Sequence, residues 1–239
     1  MAVLYVASTE PRAGKTAICV TLAKAFQRVG KTAAAFKPLT RAPEPGRDPD
    51  ADTYRDLLGQ HPEEWPVPLP QDGLSPALLR KVTAAATSAS EGNDVLLVEA
   101  PTWDPGKDSA KLAESLNAQV LFVGRFRAGM SASEVATSAR RFGDRLLGLV
   151  MNGLTRYQST AAHNSLESEG LTPLGALPED RALLGVTVGQ MAETLNGRFM
   201  IGEELADGLV EHFLVGGLGL DSGVLYFGLR ENKAVIVRG

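Results

Sequence analysis

The amino-acid sequence predicts an α/β fold in which a parallel sheet is covered by helices. Three observations support this prediction. Short apolar runs rich in β-branched residues alternate with stretches of helical periodicity through most of the chain. A Gly-Lys-Thr sequence stands between the first of these runs and the first helical stretch. With 239 residues, 44% of them hydrophobic and 22% charged, the chain has enough apolar residues for a sizeable core.

The predicted elements follow one another as alternating strands and helices. Residues 2–7 and 32–36 are short apolar runs typical of strands, and residues 16–29 carry apolar side chains at helical spacing. The later predicted elements are a helix from Ser75-Pro76, strands at 94–99 and 119–123, a helix from Ser131, a strand at 146–152, a helix at 159–169 and a strand at 173–177. Segment 40–74 contains seven prolines, so we predict mostly loop there, with one short helix near 51–58.

A change in composition near residue 180 predicts a second, smaller domain. Residues 1–178 hold 19 basic and 19 acidic side chains, whereas residues 179–239 hold 5 basic and 9 acidic ones. The last segment also contains 11 of the 25 glycines. Because charge and glycine content change at the same place, beside a Leu-Pro-Glu-Asp turn signal, we expect domains at 1–178 and 179–239.

Composition argues against several partners and locations. The net charge of −4 gives no general attraction for nucleic acid or for an anionic membrane surface. The longest apolar runs, such as 2–7 and 95–98, are far shorter than the roughly 20 residues that span a bilayer, and Met1 leads directly into a strand. The single cysteine, Cys19, cannot form an internal disulfide. We therefore expect a cytoplasmic protein that has neither nucleic acid nor membrane as a partner.

Residues 9–16 read Thr-Glu-Pro-Arg-Ala-Gly-Lys-Thr and lie between the first strand and the first helix, as a phosphate-binding loop does. Backbone N–H groups and the helix N-terminus would surround the phosphates, Lys15 would neutralise their oxygens, and the Thr16 hydroxyl would hold magnesium. The predicted nucleotide-binding residues of this loop are Thr9, Glu10, Arg12, Ala13, Gly14, Lys15, Thr16 and Ala17. The first position is threonine where the usual pattern has glycine. An ordinary strand, turn and helix with an exposed Gly-Lys-Thr is the alternative.

Two charged residues stand at the ends of predicted strands near this loop. Lys37 follows the second strand, and parallel sheets present ligand-binding groups at the carboxyl ends of their strands. Glu99 ends the third strand after four apolar residues, a pattern typical of a second magnesium ligand. For Lys37, an exposed lysine without a role is the alternative interpretation.

These residues carry a resemblance to a known family. Segment 8–16 resembles the G-T-D-T-x-V-G-K-T loop of dethiobiotin synthetase, a P-loop class that also includes cobyrinic acid amide synthetases, and Thr9, Gly14, Lys15 and Thr16 match. The sequence Phe-Lys-Pro-Leu at 36–39 is similar to the family's Y-K-P-V, whose lysine faces the phosphate and the carbamate substrate. The resemblance implies a P-loop parallel sheet that binds ATP and Mg²⁺, with Lys15 and Lys37 as catalytic residues.

Further segments complete the resemblance. Asp50-Ala51 resembles the family's S-D-A magnesium ligand, so the implied metal ligands are Thr16, Asp50 and Glu99. Asp52 is close enough to be the ligand instead, and a charged loop without a metal is the other alternative. The sequence at 150–152 is similar to the family's V-A-N, whose asparagine reads adenine, and Asn152 would take that role. A turn residue at the end of the strand is the alternative for Asn152. The family also implies a homodimer, since its sites form near a subunit interface.

The last segment no longer resembles dethiobiotin synthetase. It is similar to the start of a DRTGG domain, which follows a similar ATP-binding domain in some bacterial phosphate acetyltransferases. The matching features are a capped helix at 187–193, Gly-Glu-Glu-Leu at 202–205, Val-Gly-Gly at 215–217, Tyr-Phe at 226–227 and a strand at 234–237. The family's Asp-Arg signature would come next after residue 239, so we expect a small, incomplete α/β appendage that binds a regulatory ligand or partner.

Two functions remain open. In the first, the protein is an ATP-sensing or slow ATPase module of the dethiobiotin-synthetase-like class, coupled to a regulatory appendage. In the second, it is an ATP-dependent ligase of the dethiobiotin synthetase or cobyrinic acid amide synthetase type. The family follows its glutamate with glycines, whereas this chain has Ala-Pro-Thr-Trp at 100–103. We therefore favour the regulatory module.

Overall fold

A computed structural model describes most of the chain and divides it into two compact units, Met1–Glu179 and Asp180–Gly239. The described residues are 1–8, 10–40, 48–60, 66–70, 73–101, 107–126, 131–155, 157–180, 185–216 and 227–237. Within these ranges no helix is both long enough and apolar enough to cross a membrane.

A parallel sheet forms the centre of the first unit. Its strands are β1 (Ala2–Ala7), β2 (Ala33–Phe36), β5 (Val95–Glu99), β6 (Gln119–Arg125), β7 (Leu146–Leu154) and β8 (Pro173–Pro178). They are hydrogen-bonded in the order β2-β5-β1-β6-β7-β8, and every pairing is parallel. Two further strands, β3 (Leu39–Thr40) and β4 (Val67–Pro68), form a separate parallel pair that the sequence analysis did not predict.

Helices connect the strands. They are α1 (Lys15–Arg28), α2 (Pro49–Leu58), α3 (Pro76–Ala89), α4 (Lys107–Ser115), α5 (Ala132–Ala139) and α6 (Ser159–Ser168), and a 3₁₀ helix at Arg140–Arg145 follows α5. The helix predicted near 51–58 begins two residues earlier, because Asp48 accepts hydrogen bonds from the Asp50 and Ala51 N–H groups and Pro49 suits the first helical position. Ser75 caps α3 in the same way, directly before Pro76.

Core side chains lie on both faces of the sheet, because successive residues of a strand point to opposite faces. On one face, Tyr5, Leu96 and Phe122 belong to one buried cluster. On the other, Val6 and Leu97 belong to a second buried cluster. Two covered faces explain why the strands read as continuous apolar runs, and the predicted α/β class with a helix-covered parallel sheet is confirmed.

The strand register decides which residues meet at the carboxyl edge of the sheet. Val6 of β1 pairs with Glu99 of β5, and Phe36 of β2 pairs with Val98. On its other side β1 pairs with β6, and β6 pairs with β7. Asn152 of β7 lies opposite the last residue of β6. The residues that follow β1, β2 and β5, and those at the end of β7, therefore lie along one edge.

The second unit has smaller elements. They are β9 (Val186–Thr187), α7 (Val188–Thr194), a 3₁₀ turn at Glu203–Leu205, β10 (Leu209–Val210), β11 (His212–Gly216) and β12 (Lys233–Val237). The strands β9 and β10 pair antiparallel, whereas β11 and β12 pair parallel. The predicted capped helix is confirmed, since Thr187 and Gln190 form a reciprocal capping box at the start of α7. The predicted strand at 234–237 is β12, whereas part of the Val-Gly-Gly and Tyr-Phe segments lies outside the described residues.

Candidate functional site

The loop between β1 and α1 has a backbone that only certain residues adopt easily. Gly14 has φ of +95° and Arg12 has φ of +55°. The backbone at Gly14 therefore favours glycine, and a Cβ atom there would lie 2.3 Å from the Asn152 Nδ2 atom and displace that amide. The Asn152 Nδ2 group donates to the Ala13 carbonyl oxygen at 2.9 Å. The loop is therefore tied to the end of β7, whereas Thr9 lies outside the described residues.

Lys15 opens α1 at the carboxyl edge of the sheet. Its side chain is 5% exposed, and its Nζ donates to the Ser8 Oγ at 3.2 Å. Burial lowers the pKa of Lys15, while the negative charge of Glu99 acts in the opposite direction. Among the described residues no side chain caps the N-terminus of α1. The first N–H groups of that helix and the Lys15 ammonium thus form the kind of setting that binds phosphate.

Three oxygen-bearing side chains meet beside Lys15. The Thr16 hydroxyl is 2.8 Å from Asp50 Oδ1 and 3.2 Å from Glu99 Oε1. Glu99 is buried, and burial together with the negative charge of Asp50 raises its pKa. In the described part of the chain no group of three or more His, Cys, Asp or Glu residues could hold a metal. One hydroxyl and two carboxylates remain, a set of hard oxygen ligands that fits Mg²⁺, which keeps several of its waters.

The geometry distinguishes the two candidate aspartates of α2. Asp50 lies next to Thr16, whereas Asp52 pairs with Arg55 at 2.6 Å on the exposed side of the helix. Residues two apart on a helix point in different directions, so only one of them could face the site. That residue is Asp50.

Lys37 is held by two carboxylates. Its Nζ donates to Asp48 Oδ1 at 2.9 Å and to Asp50 Oδ2. Burial alone would lower the pKa of Lys37, but the negative charge of Glu99 and the hydrogen bonds to Asp50 and Asp48 outweigh burial and raise it. Lys37 therefore stays charged, and it is not the exposed lysine of the alternative interpretation.

Two residues of this region were missed by the sequence analysis. Asp48 is buried and accepts from the Thr40 hydroxyl as well as from Lys37. Burial alone would raise the pKa of Asp48, but these hydrogen bonds outweigh it and lower the pKa. Tyr54 is buried and its hydroxyl donates to Glu99 Oε2 at 2.5 Å. The sequence contains a local signal for each of them. Pro49 indicates a helix start and so marks Asp48 as the cap, and the four-residue spacing places Tyr54 on the same helix face as Asp50.

The remaining predicted residues lie along the same loop and strand end. Arg12 and Ala17 are exposed, Ala13 is buried, and the Glu10 carbonyl accepts from the Ser8 hydroxyl at 2.9 Å. Asn152 uses its amide nitrogen on the loop, which leaves its oxygen as the acceptor that could face a ligand. The structure thus brings Lys15, Thr16, Lys37, Asp50 and Glu99 into one cluster and sets Asn152 against the loop beside it.

The class of protein follows from three features of this site. A loop joins the first strand to the first helix, a lysine and a threonine begin that helix, and a parallel strand ends in a carboxylate. The first unit is a P-loop NTPase-like domain, and its fold is consistent with nucleotide binding. The chain belongs to the AAA_26 family, described as an AAA domain, whose model matches residues 2–187.

The chain is also similar to two curated proteins and to one solved structure. The chain is 24% identical over 99% of its length to a phosphate acetyltransferase of Synechocystis, and 26% identical over 84% of its length to one of Pseudomonas putida. It spans only 37% and 33% of those two proteins, matching their N-terminal regions. The MinC:MinD cell division complex of Aquifex aeolicus has a similar fold, with a TM-score of 0.50, 16% identity, and coverage of 77% of this chain and 84% of that one.

Proposed function

We propose that the first unit binds ATP with Mg²⁺ and acts as a regulatory or slow ATPase module. One observation carries this proposal. Oxygen atoms of Thr16, Asp50 and Glu99 lie together at the phosphate loop. The ammonium groups of Lys15 and Lys37 lie beside them. Cations at a phosphate loop stabilise negative oxygens, and the hydroxyl and carboxylates supply ligands for the metal that accompanies them.

Each residue has a distinct role in this proposal. The loop N–H groups and Lys15 would bind the phosphates. With a metal bound to Asp50, Lys37 would no longer pair with that carboxylate and would contact the terminal phosphate instead. A bound Mg²⁺ would neutralise phosphate charge. Asn152, whose nitrogen is already bonded to Ala13, would accept a hydrogen bond from the adenine amino group through its oxygen.

The segment after Glu99 supports a regulatory module over a ligase. Ala100 and Pro101 are buried, and the Ala100 N–H donates to the Val6 carbonyl oxygen at 2.9 Å. A second substrate that approached this backbone would meet a proline ring and an N–H that is already bonded. The glycines of the dethiobiotin synthetase pattern have no proline ring and no side chain at these positions.

Coupling to the second unit is part of the same proposal. The alignment with the Synechocystis phosphate acetyltransferase covers 99% of this chain and therefore both units. We propose that residues 179–239 are the start of a DRTGG-like regulatory domain, and that the protein acts as a cytoplasmic homodimer.

One observation favours an ATP-dependent ligase as the second candidate. Lys37 is largely buried and charged, and it lies beside Asp50, a proposed metal ligand. A lysine that activates a carbamate would occupy such a position. The dethiobiotin synthetase and cobyrinic acid amide synthetase types are the ligases meant.

The test is the release of phosphate from ATP and Mg²⁺, with and without bicarbonate plus 7,8-diaminopelargonic acid. We expect slow or negligible release that does not respond to the diamine, together with clear ATP binding. Lys37→Ala should abolish any release, whereas Lys111→Ala should leave it unchanged, because the Lys111 side chain is exposed. Diamine-dependent turnover would establish the ligase and contradict the regulatory module.

A further inference from the structure

One face of α2 is directed at the acidic end of β5. Asp50 and Tyr54 are four residues apart, so they lie on the same side of the helix. The Tyr54 hydroxyl donates to Glu99 Oε2 at 2.5 Å, and the Thr16 hydroxyl is 3.2 Å from Glu99 Oε1. The Glu99 carboxylate therefore accepts at Oε2 from α2, and its Oε1 lies beside the Thr16 hydroxyl of α1, whose single proton is shared with Asp50.

Cys19 of α1 lies in the same buried cluster as Tyr54. Both side chains are buried, 0% and 1% exposed. The Tyr54 hydroxyl thus bonds Glu99 from a position that is shielded from solvent.

We propose that Tyr54 is a positioning residue for the metal site, and this proposal rests on the proposed binding of ATP and Mg²⁺. Its hydroxyl fixes the Glu99 carboxylate so that Oε1 faces Thr16 and Asp50 before a metal arrives. Ordering a glutamate side chain costs conformational entropy. Because the hydrogen bond to Tyr54 already orders Glu99 in the folded protein, less entropy is lost when a metal binds. Outer hydrogen-bond partners of metal ligands have this effect in other metal sites.

The experiment compares Tyr54→Phe with the unsubstituted protein and with a matched control. Tyr5→Phe also removes the hydroxyl of a fully buried tyrosine, one that bonds Ser109 Oγ at 3.1 Å in the other core cluster. For each protein, the melting temperature is measured with saturating ATP while Mg²⁺ is titrated, and again with ATP and excess EDTA.

We expect Tyr54→Phe to raise the Mg²⁺ concentration for half-maximal stabilisation by about tenfold. The ATP shift in EDTA should stay unchanged, because the phosphates contact the loop and not Tyr54. Tyr5→Phe should match the unsubstituted protein in both titrations. If Tyr54→Phe does not fold, Tyr54→Met fills a similar space without a hydroxyl and takes its place.

Three results would overturn the proposal. An unchanged Mg²⁺ midpoint would show that Tyr54 does not position Glu99. Equal weakening with Mg²⁺ and with EDTA would show that Tyr54 has only a structural role. If the unsubstituted protein shows no ATP shift at any Mg²⁺ concentration, the proposed function itself fails and this inference fails with it.

Discussion

In the first unit Glu99 is 3% exposed, although its side chain is ionisable, whereas in the second unit the apolar side chains of Val215 and Ile236 are 76% and 53% exposed. Among the described residues of the second unit, Val210 is the only hydrophobic residue that is buried. The first unit has two apolar clusters, one on each face of its sheet. Burying charge needs a core large enough to offset desolvation, and among the described residues such a core belongs to the first unit.

The two units should therefore differ in how they respond to substitution. In the first unit the charged groups are linked through Lys37, Asp48 and Asp50, so a change at one affects the others. In the second unit, substitutions of exposed side chains should act independently and weakly.

The largest effect on stability is expected from Lys37→Met. Removing this ammonium leaves the buried Asp48 carboxylate without its cation, so the free energy of unfolding should fall by about 3 kcal/mol. Lys111→Met is the matched control, since Lys111 pairs with Asp108 at 3.2 Å but is 55% exposed, and it should cost less than about 1 kcal/mol. Urea unfolding measures both. Equal losses would contradict a buried, linked network.

Val98→Thr should destabilise the first unit by about 1–3 kcal/mol, because it places a hydroxyl at a fully buried position of β5. The same change at exposed Val215 should alter stability by less than about 0.5 kcal/mol. Thermal unfolding of the two variants compares the units directly. A large loss at Val215 would show that its side chain is covered in solution.

Asp48→Asn should show a smaller, pH-dependent effect. The pKa of Asp48 is lowered by folding, so its stabilisation is present above the ordinary aspartate pKa and is lost as pH falls through the folded-state value. Asparagine can still cap the helix, so the substitution should lower the free energy of unfolding by about 1 kcal/mol at pH 7. The free energies of unfolding of the variant and of the unsubstituted protein should differ by a constant amount between pH 7 and about pH 5 and should converge below about pH 4. A difference that grows toward acid would contradict this assignment.

The sequence predicted those parts of the site that depend on local signals. Lys15 and Thr16 are recognisable because the strand, the loop and the helix are adjacent in the chain. Glu99 is recognisable because a carboxylate follows a buried strand. These signals do not require knowledge of how distant segments pack.

The parts that could not be predicted depend on how α2 packs. Segment 41–47 lies between Thr40 and α2 and outside the described residues, and spacing alone does not say which face of the helix meets β5. That face decides between Asp50 and Asp52, and it brings Tyr54 to Glu99. The bond from Asn152 to Ala13 likewise joins residues 139 positions apart, a contact that no local pattern contains.

Binding of ATP at the phosphate loop is tested by the ATP-dependent shift in melting temperature of Lys15→Ala. Lys24→Ala, an exposed lysine on the same helix, is the control. We predict that ATP with Mg²⁺ stabilises the unsubstituted protein and Lys24→Ala equally, and that Lys15→Ala folds but shows no shift. A shift of unchanged size in Lys15→Ala would show that nucleotide does not bind at this loop.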